Sequence, residues 1–383
     1  MKKLRVGVLF GGRSGEHEVS LVSAASVLRG LDPAKYEVHP IGITKQGRWV
    51  LPRMAAPPAE LSHAHLRRAL ADGSSVLLPA EPAKNSLIPA DEPLAAPAHS
   101  LRLDVVFPVL HGTYGEDGTV QGLLELAELP YVGAGVLGSA LAMDKEVAKR
   151  LFLQAGLPVP EYVAVRRHEW ENNSNEIVKA VRRKLRFPVF TKPANLGSSV
   201  GISKVRRAPE LAAAIKHALE FDAKILVEQG IIGREIEVSV LGNEEPQASV
   251  PGEVIPAREF YDYTAKYLED STRFVVPARL ALRQVRRLQA LAVAAFRALE
   301  CEGMARVDFL LERRAGRIYL NEVNTIPGFT AISMYPKLWE ASGLGYPALL
   351  DRLIELALAR HREKSRRRTS LHLPSKRGGV LRE

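Results

Sequence analysis

Residues Leu4 to Phe10 form a short apolar run that ends in Gly11-Gly12-Arg13-Ser14-Gly15, and apolar residues then recur at Val19, Val22, Val27, Leu28 and Leu31. A brief apolar run bounded by glycine reads as a buried strand, and recurrence at three- and four-residue intervals reads as a helix. Strand, glycine loop and helix in that order open a doubly wound α/β unit, whose ligands sit at the carboxyl ends of its strands. The same signals return at Leu103–Val109, which leads into His111-Gly112-Thr113-Tyr114-Gly115-Glu116-Asp117-Gly118 and a helix over Val120–Glu128. Val38–Ile43 is a further strand. The chain is therefore expected to be α/β.

Its 383 residues suit two or three domains. Between Pro52 and Pro97 the sequence turns Ala/Pro-rich and weakly periodic, which predicts a surface excursion with one helix near Ala64–Ala71. Tyr131–Gly138 reads as a short strand and turn, and Ser139–Ala155 as one long helix. Strands follow at Pro188–Lys192, Val200–Val205 and Lys224–Glu228, with a helix at Pro209–Phe221. Beyond them come a strand at Glu235–Leu241, a long loop from Gly252 to Val276, a helix at Leu280–Glu300, a β-hairpin and a C-terminal helix at Tyr346–Arg360.

The formal charge of +10 hints at a polyanionic partner until it is divided. Residues 360–383 hold nine Lys/Arg against two acids, so +7 lies there and +3 in the rest. That tail lacks the interleaved aromatics on which nucleic-acid bases stack, so nucleic-acid binding is not expected. The lone Cys301 excludes an internal disulfide and suits a reducing compartment. Met1-Lys2-Lys3 resembles a signal-peptide start, but the apolar stretch after it is too short for one. No run approaches the ~18 apolar residues of a membrane span. A cytoplasmic protein with no membrane insertion is the expectation.

The hairpin carries the sharpest chemistry. Side chains alternate faces along a strand, so Arg306 shares a face with Asp308, and Glu322 shares one with Asn324. A turn centred on Ala315 pairs 306 with 324 and 308 with 322, which gathers two carboxylates, an amide and a guanidinium on one patch. Clustered oxygen donors suit Mg²⁺, and a guanidinium beside them suits a developing anion. An exposed face of cross-strand salt bridges is the competing reading of the same spacing. Lys192 precedes Asn195-Leu196-Gly197-Ser198-Ser199-Val200-Gly201, which either folds over phosphate or forms a plain hairpin loop. Taken singly, Lys145, Glu228, Glu235 and Glu16 with His17 read more readily as surface or structural residues. Tyr261, Tyr263, Lys266 and Tyr267 make a long polar aromatic loop, either a lid or a packing segment.

Together these stretches closely resemble the D-alanine–D-alanine ligases of the ATP-grasp superfamily. The matching motifs are Gly11 to Ser20, His111-Gly112 with Gly115 to Gly118, Met143-Asp144-Lys145, Lys192-Pro193 through Gly201, Glu259 to Tyr267, Arg306-Val307-Asp308, and Asn321 to Thr325 with Pro327-Gly328. They run in family order from about residue 4 to 345, and seven motifs in one order are far more specific than any alone.

The resemblance implies an ATP-grasp fold preceded by a Rossmann-like domain. Its expected divisions are 1–138 (first D-alanine site), 139–228 (central subdomain with the phosphate lid), 229–362 (metal and second D-alanine site) and a disordered basic tail at 363–383. It implies phosphoryl transfer from ATP to one D-alanine, then attack on the acyl phosphate by the amine of a second. Two Mg²⁺ or Mn²⁺ ions would be held by Asp308, Glu322 and Asn324. ATP would meet Lys145, Lys192, Gly197, Ser198, Ser199, Glu228 and Glu235. Glu16 would hold the first substrate's ammonium, and Ser333 the second substrate's carboxylate. Arg306 and the Gly328 N–H would form the oxyanion hole, with His111 near the acyl phosphate. Glu16, Ser198 and Tyr267 would be a hydrogen-bonded trio formed on closure. A homodimer is the family expectation.

Two departures stand out. Thr191 occupies a position where the family more often has valine, and the tail and much of the Pro52–Pro97 excursion lie outside its pattern. Two sibling activities compete. D-alanine–D-lactate (or D-serine) ligation is the first, and D-alanine–D-lactate ligases generally lack the tyrosine that Tyr267 matches; other ATP-grasp ligases would lack both the Glu16 and Tyr267 loops.

Overall fold

The computed structural model describes residues 2–52, 57, 60–82, 86–90, 100–197, 199–255, 272–330 and 332–368. The first sheet contains β1 (Leu4–Gly11), β2 (Tyr36–Ile43), β3 (Trp49–Leu51), β4 (Ser74–Leu77), β5 (Ser86–Pro89), β6 (Leu101–Arg102) and β7 (Val105–Val109), in the order β6-β5-β4-β3-β2-β1-β7. β1 runs parallel to both β2 and β7, as the doubly wound reading requires. Alternation along β1 sends Val6, Val8 and Phe10 into one core and Leu9 into the core on the other face. The first core receives α1 (His17–Gly30). The expected excursion is corrected here: beside α2 (His63–Asp72), β4 to β6 extend the sheet antiparallel, with Val76, Leu87 and Ile88 buried. Strands of two to four residues are too short to display a period.

After β7 come α3 (Thr119–Leu126), α4 (Val136–Met143) and α5 (Lys145–Gln154). The expected strand at Tyr131 is a single bridge to Val106. The expected long helix is broken at Asp144. That residue is extended (φ −83°, ψ 98°), and its carboxylate caps α5 by accepting from the Glu146 and Val147 N–H groups. Lys224 holds the same carboxylate at 2.6 Å.

The second sheet has the order β10-β9-β11-β8, formed by β8 (Tyr162–Arg166), β9 (Val189–Pro193), β10 (Ser203–Val205) and β11 (Lys224–Gln229). Two helices cover it, α6 (Arg167–Lys184) and α7 (Leu211–Phe221). β8 and α6 escaped the sequence reading because α6 buries only Trp170 and Val181 fully, leaving a thin apolar stripe. Thr191 is fully buried and donates its hydroxyl to the Ala214 carbonyl, so the polar substitution is satisfied in the core.

The third sheet has the order β15-β14-β12-β16-β17, with β13 paired to β12. Its strands are β12 (Gly233–Gly242), β13 (Gln247–Ala248), β14 (Gly252–Ile255), β15 (Arg273–Val275), β16 (Gly303–Glu312) and β17 (Ile318–Asn324), and α8 (Leu282–Ala298) packs on it. The long loop expected from Gly252 thus opens and closes with strand, while residues 256–271 are outside the described residues. β16 and β17 pair Arg306 with Asn324 and Asp308 with Glu322, as the sequence predicts. Nearer the turn the register slips by one (Phe309 opposite Leu320), which leaves Asn321 as the extra residue of a bulge.

α9 (Met334–Ala341) and α10 (Tyr346–Ser365) complete the described chain. α10 returns to the first sheet, where Leu349, Leu350, Leu353 and Ile354 join the core of β1 and α1. It runs past the expected end at Arg360, and for residues 363–365 this corrects the expectation of a disordered tail. Lys364 pairs with Glu125, while Arg360 donates to the Tyr131 carbonyl at 2.8 Å and lies over the Tyr131 ring. Residues 369–383 fall outside the described residues. Leu350→Ala should lower stability by about 2–5 kcal/mol, the usual cost of a leucine cavity. Urea unfolding measures this, and a loss below about 1 kcal/mol would contradict the packing of α10 on the first sheet.

Candidate active site

A cavity of about 1510 Å³ opens where the three sheets meet. It is larger than a typical single-ligand pocket of ~300–1,000 Å³ and can hold more than one small molecule. Glu16, His111, Lys145, Lys192, Gly197, Ser199, Glu228, Glu235, Arg306, Asp308, Glu322, Asn324, Gly328 and Ser333 all line it. Every described residue that the resemblance assigns to substrate, nucleotide or metal is thus brought to one cavity, whereas His17 does not line it. Ser198 and Tyr267 lie outside the described residues, and the closure trio with them.

The glycine loops converge on Glu16, which is 9% exposed at the start of α1. A Cβ at Gly112 would lie 2.8 Å from Glu16 Oε2, and one at Gly197 would lie 2.9 Å from the same atom. Gly112 also has φ +75°, so a side chain there would be strained as well as crowded. Ser14 ties the two loops by donating to the His111 carbonyl at 2.7 Å. Loop closure on one carboxylate therefore depends on residues without side chains.

His111 is buried with both ring nitrogens engaged, Nδ1 to the Ile326 carbonyl (2.9 Å) and Nε2 to Ser23 Oγ (3.1 Å). A carbonyl only accepts, so the network assigns the proton to Nδ1 and makes Ser23 the donor to Nε2. Burial lowers the imidazole pKa and keeps the ring neutral. Beside it, Glu116 accepts from the Gly112 N–H (2.6 Å) and the Ile326 N–H (3.3 Å). Burial first, and the charge of Glu16 second, push the Glu116 carboxyl up to about 8.

On the third sheet Arg306 binds Asp308 through two bonds of 2.7 Å and lies 3.1 Å from Glu237. Burial opposes the charge of Arg306, but Asp308 and Glu237 outweigh it and hold the guanidinium firmly protonated. Glu237 was missed by motif reading. It stands directly opposite Asp308 across β12 and β16, and the signal for it was present: two residues beyond Glu235, it shares that strand face. Asn324 Oδ1 accepts from the Ile326 N–H at 3.1 Å. Ser333 Oγ accepts from the Thr330 N–H, and a Cβ at Gly328 would lie 2.9 Å from that hydroxyl. This leaves Gly328 and Ser333 adjacent with no side chain between them.

The opposite wall carries the lysines. Lys145 donates to the Leu196 carbonyl at 2.6 Å and lies 3.7 Å from Glu322. Lys192 donates to Glu228 Oε1 (2.7 Å) and Asn321 Oδ1 (3.2 Å). Burial favours a neutral Glu228, yet Lys149 and Lys192 hold its carboxyl below the usual range. Lys149 was also missed, although it follows Lys145 by four residues on α5 and so shares its helix face.

Among the described residues no three His, Cys, Asp or Glu side chains form a metal cluster. The oxygen donors at hand are two cross-strand carboxylates, Asp308 and Glu322, and the amide of Asn324. That set fits a hard cation, with the Asp308 carboxylate engaged by Arg306 in this structure.

Residues 5–134 match the family described as D-ala D-ala ligase N-terminus, and residues 151–355 match D-ala D-ala ligase C-terminus. The chain belongs to the D-alanine–D-alanine ligase family. It is 51% identical to the D-alanine–D-alanine ligase of Natranaerobius thermophilus over 96% of this chain and 99% of that one. With the ligase of Solibacter usitatus it shares 54% identity over 94% and 98%. Among solved structures it is similar to the Coxiella burnetii D-alanine–D-alanine ligase (38% identity, TM-score 0.81, covering 95% and 97%). It is also similar to the VanG D-Ala:D-Ser ligase of Enterococcus faecalis (37% identity, TM-score 0.82, covering 93% and 100%).

Glu116 generates a pH prediction. Its folded pKa of about 8 lies above the ordinary value of 4.5, so the folded state binds the extra proton and wild-type stability falls as pH rises from about 4.5 to 8. Glu116→Gln keeps the neutral form and should gain stability relative to wild type between pH 5 and pH 8. Thermal melts across that range test this, and a constant difference would contradict a protonated Glu116.

Proposed function

We propose that this ligase-family chain joins two D-alanines with consumption of ATP, giving D-alanyl-D-alanine, ADP and phosphate. The observation that carries the reading is the cavity in which Arg306, Asp308, Glu322 and Asn324 on one ladder face Lys145, Lys192 and Glu16 on other elements. The names of the relatives support the substrate. A cytoplasmic homodimer supplying peptidoglycan precursors belongs to the same proposal, and among the described residues no helix is long and apolar enough to cross a membrane.

In the proposed first step a carboxylate oxygen of the first D-alanine attacks the γ-phosphorus of ATP, and ADP leaves. Lys145 and Lys192 face the phosphates, Glu228 and Glu235 the nucleoside, and the 197–201 loop, with Gly197, Ser198 and Ser199, covers them. Glu16 holds the ammonium of the first D-alanine. Mg²⁺ or Mn²⁺, when bound at Asp308, Glu322 and Asn324, would offset charge on the transferring phosphoryl group. In the second step the amine of the other D-alanine attacks the acyl carbon, phosphate leaves and a proton is lost. Ser333 aligns that substrate through its carboxylate. Arg306 and the Gly328 N–H face the oxygen that becomes negative, where fixed donors act most strongly. Neutral His111 holds the Ile326 segment beside this point without adding charge. Ser198 and Tyr267 complete the closure that keeps water from the acyl phosphate.

Phosphate release from ATP, measured with D-alanine, L-alanine and D-lactate in turn, tests the substrate. D-alanine alone should sustain turnover, and its failure to do so would reject the reading. Asp308→Asn should reduce kcat by about 100-fold or more at millimolar Mg²⁺, given the weight of charge stabilisation in phosphoryl transfer. Near-normal turnover would remove Asp308 from the metal set.

A further inference from the structure

Three titratable side chains meet at the cavity wall, which Lys192 and Glu228 line and Lys149 does not. Lys149 and Glu228 are each 1% exposed, and the Lys192 side chain is 13% exposed. Glu228 spends one oxygen on each lysine: Oε1 lies 2.7 Å from Lys192 and Oε2 2.8 Å from Lys149. Asn321 repeats the pattern, accepting from Lys149 at its backbone carbonyl and from Lys192 at its side-chain oxygen, both at 3.2 Å. The bulge supplies both acceptors, since Asn321 is the extra residue of β17. The ring therefore joins α5, β9, β11 and β17, and its formal charge is +1.

A charged lysine buried this deeply costs several kcal/mol unless it is paired, and an apolar residue would fill the space more cheaply. What the lysine changes is the charge balance. A Lys192–Glu228 pair alone is neutral. With Lys149 occupying the second oxygen, one positive charge is left over, and of the two lysines only Lys192 lines the cavity. Burial opposes the charge of Lys192, but Glu228 foremost, with Glu322 and Glu235, outweighs it and keeps Lys192 protonated.

We propose that Lys149 is a positioning residue that balances the charge of Glu228 from behind, so that Glu228 does not cancel the positive charge Lys192 presents to the nucleotide's phosphates. This rests on the ATP-dependent reading above. The role predicts a selective defect: contacts to phosphate weaken while contacts to the nucleoside do not.

The test compares binding of ADP and of adenosine, which lacks the phosphates, by calorimetry on the full chain. Lys149→Met should lower the ratio of ADP to adenosine affinity about tenfold, with adenosine affinity itself unchanged. Adding Glu228→Gln to that variant removes the acid that Lys149 balances, and should return the ratio to within about threefold of wild type. An equal loss for both ligands, or no recovery in the double variant, would overturn the proposal. Should Lys149→Met not fold, the Lys149→Met, Glu228→Gln pair decides alone, and a ratio still tenfold below wild type would reject it. Wild-type protein that binds neither ligand would instead reject the ATP-dependent reading itself.

Discussion

Arg306 is gripped by two carboxylates at once, Asp308 on its own strand and Glu237 across the ladder, and this charged face organises the rest of the structure. It exists because β12, β16 and β17 pair in fixed antiparallel register, and a slip of one residue would turn all these side chains to the opposite face. Hydrophobic residues on the other face, among them Ile236, Val238, Val307, Phe309 and Val323, resist such a slip because they fill the core beneath α8. Charge placement on the cavity side is thus secured by apolar packing on the other.

Facing this ladder, positive charge comes from elements far apart in sequence. Asp144 breaks the helix so that Lys145 and Lys149 begin a new one, and Lys224 anchors that break by pairing with the capping carboxylate. Lys192 enters from the second sheet. The glycine loops of the first unit bring Glu16 to the same space, where Gly112 and Gly197 leave room for its carboxylate. α10 carries the chain back to β1 and α1, so the ladder and the Glu16 loop are tied through a shared core.

Legibility in the sequence followed the strength of local signals. The hairpin register could be read because strand alternation has a strict period of two and the turn was marked by glycine, so 306–324 and 308–322 emerge from counting. Counting could not find the bulge at Asn321, which shows only where two strands are in place. The parallel opening was legible from apolar runs ended by glycine, whereas β4 to β6 are too short to show any pattern. The break at Asp144 was hidden inside a continuous apolar period. Glu237 and Lys149 belong to no recognised motif, and their importance lies in what stands opposite them.

By itself the sequence determined the α/β class, the family, the set of candidate residues and the facing pairs of the hairpin, because these follow from local periodicity and motif order. Tertiary structure decided which charges neutralise one another. It set Arg306 between Asp308 and Glu237, enclosed Glu228 between two lysines, turned Lys192 toward the cavity and Lys149 away from it, and folded the C-terminal helix onto the first sheet. Electrostatic balance depends on distance and burial between residues far apart in the chain, such as Lys149 and Asn321, 172 positions apart, and no spacing along the chain encodes it.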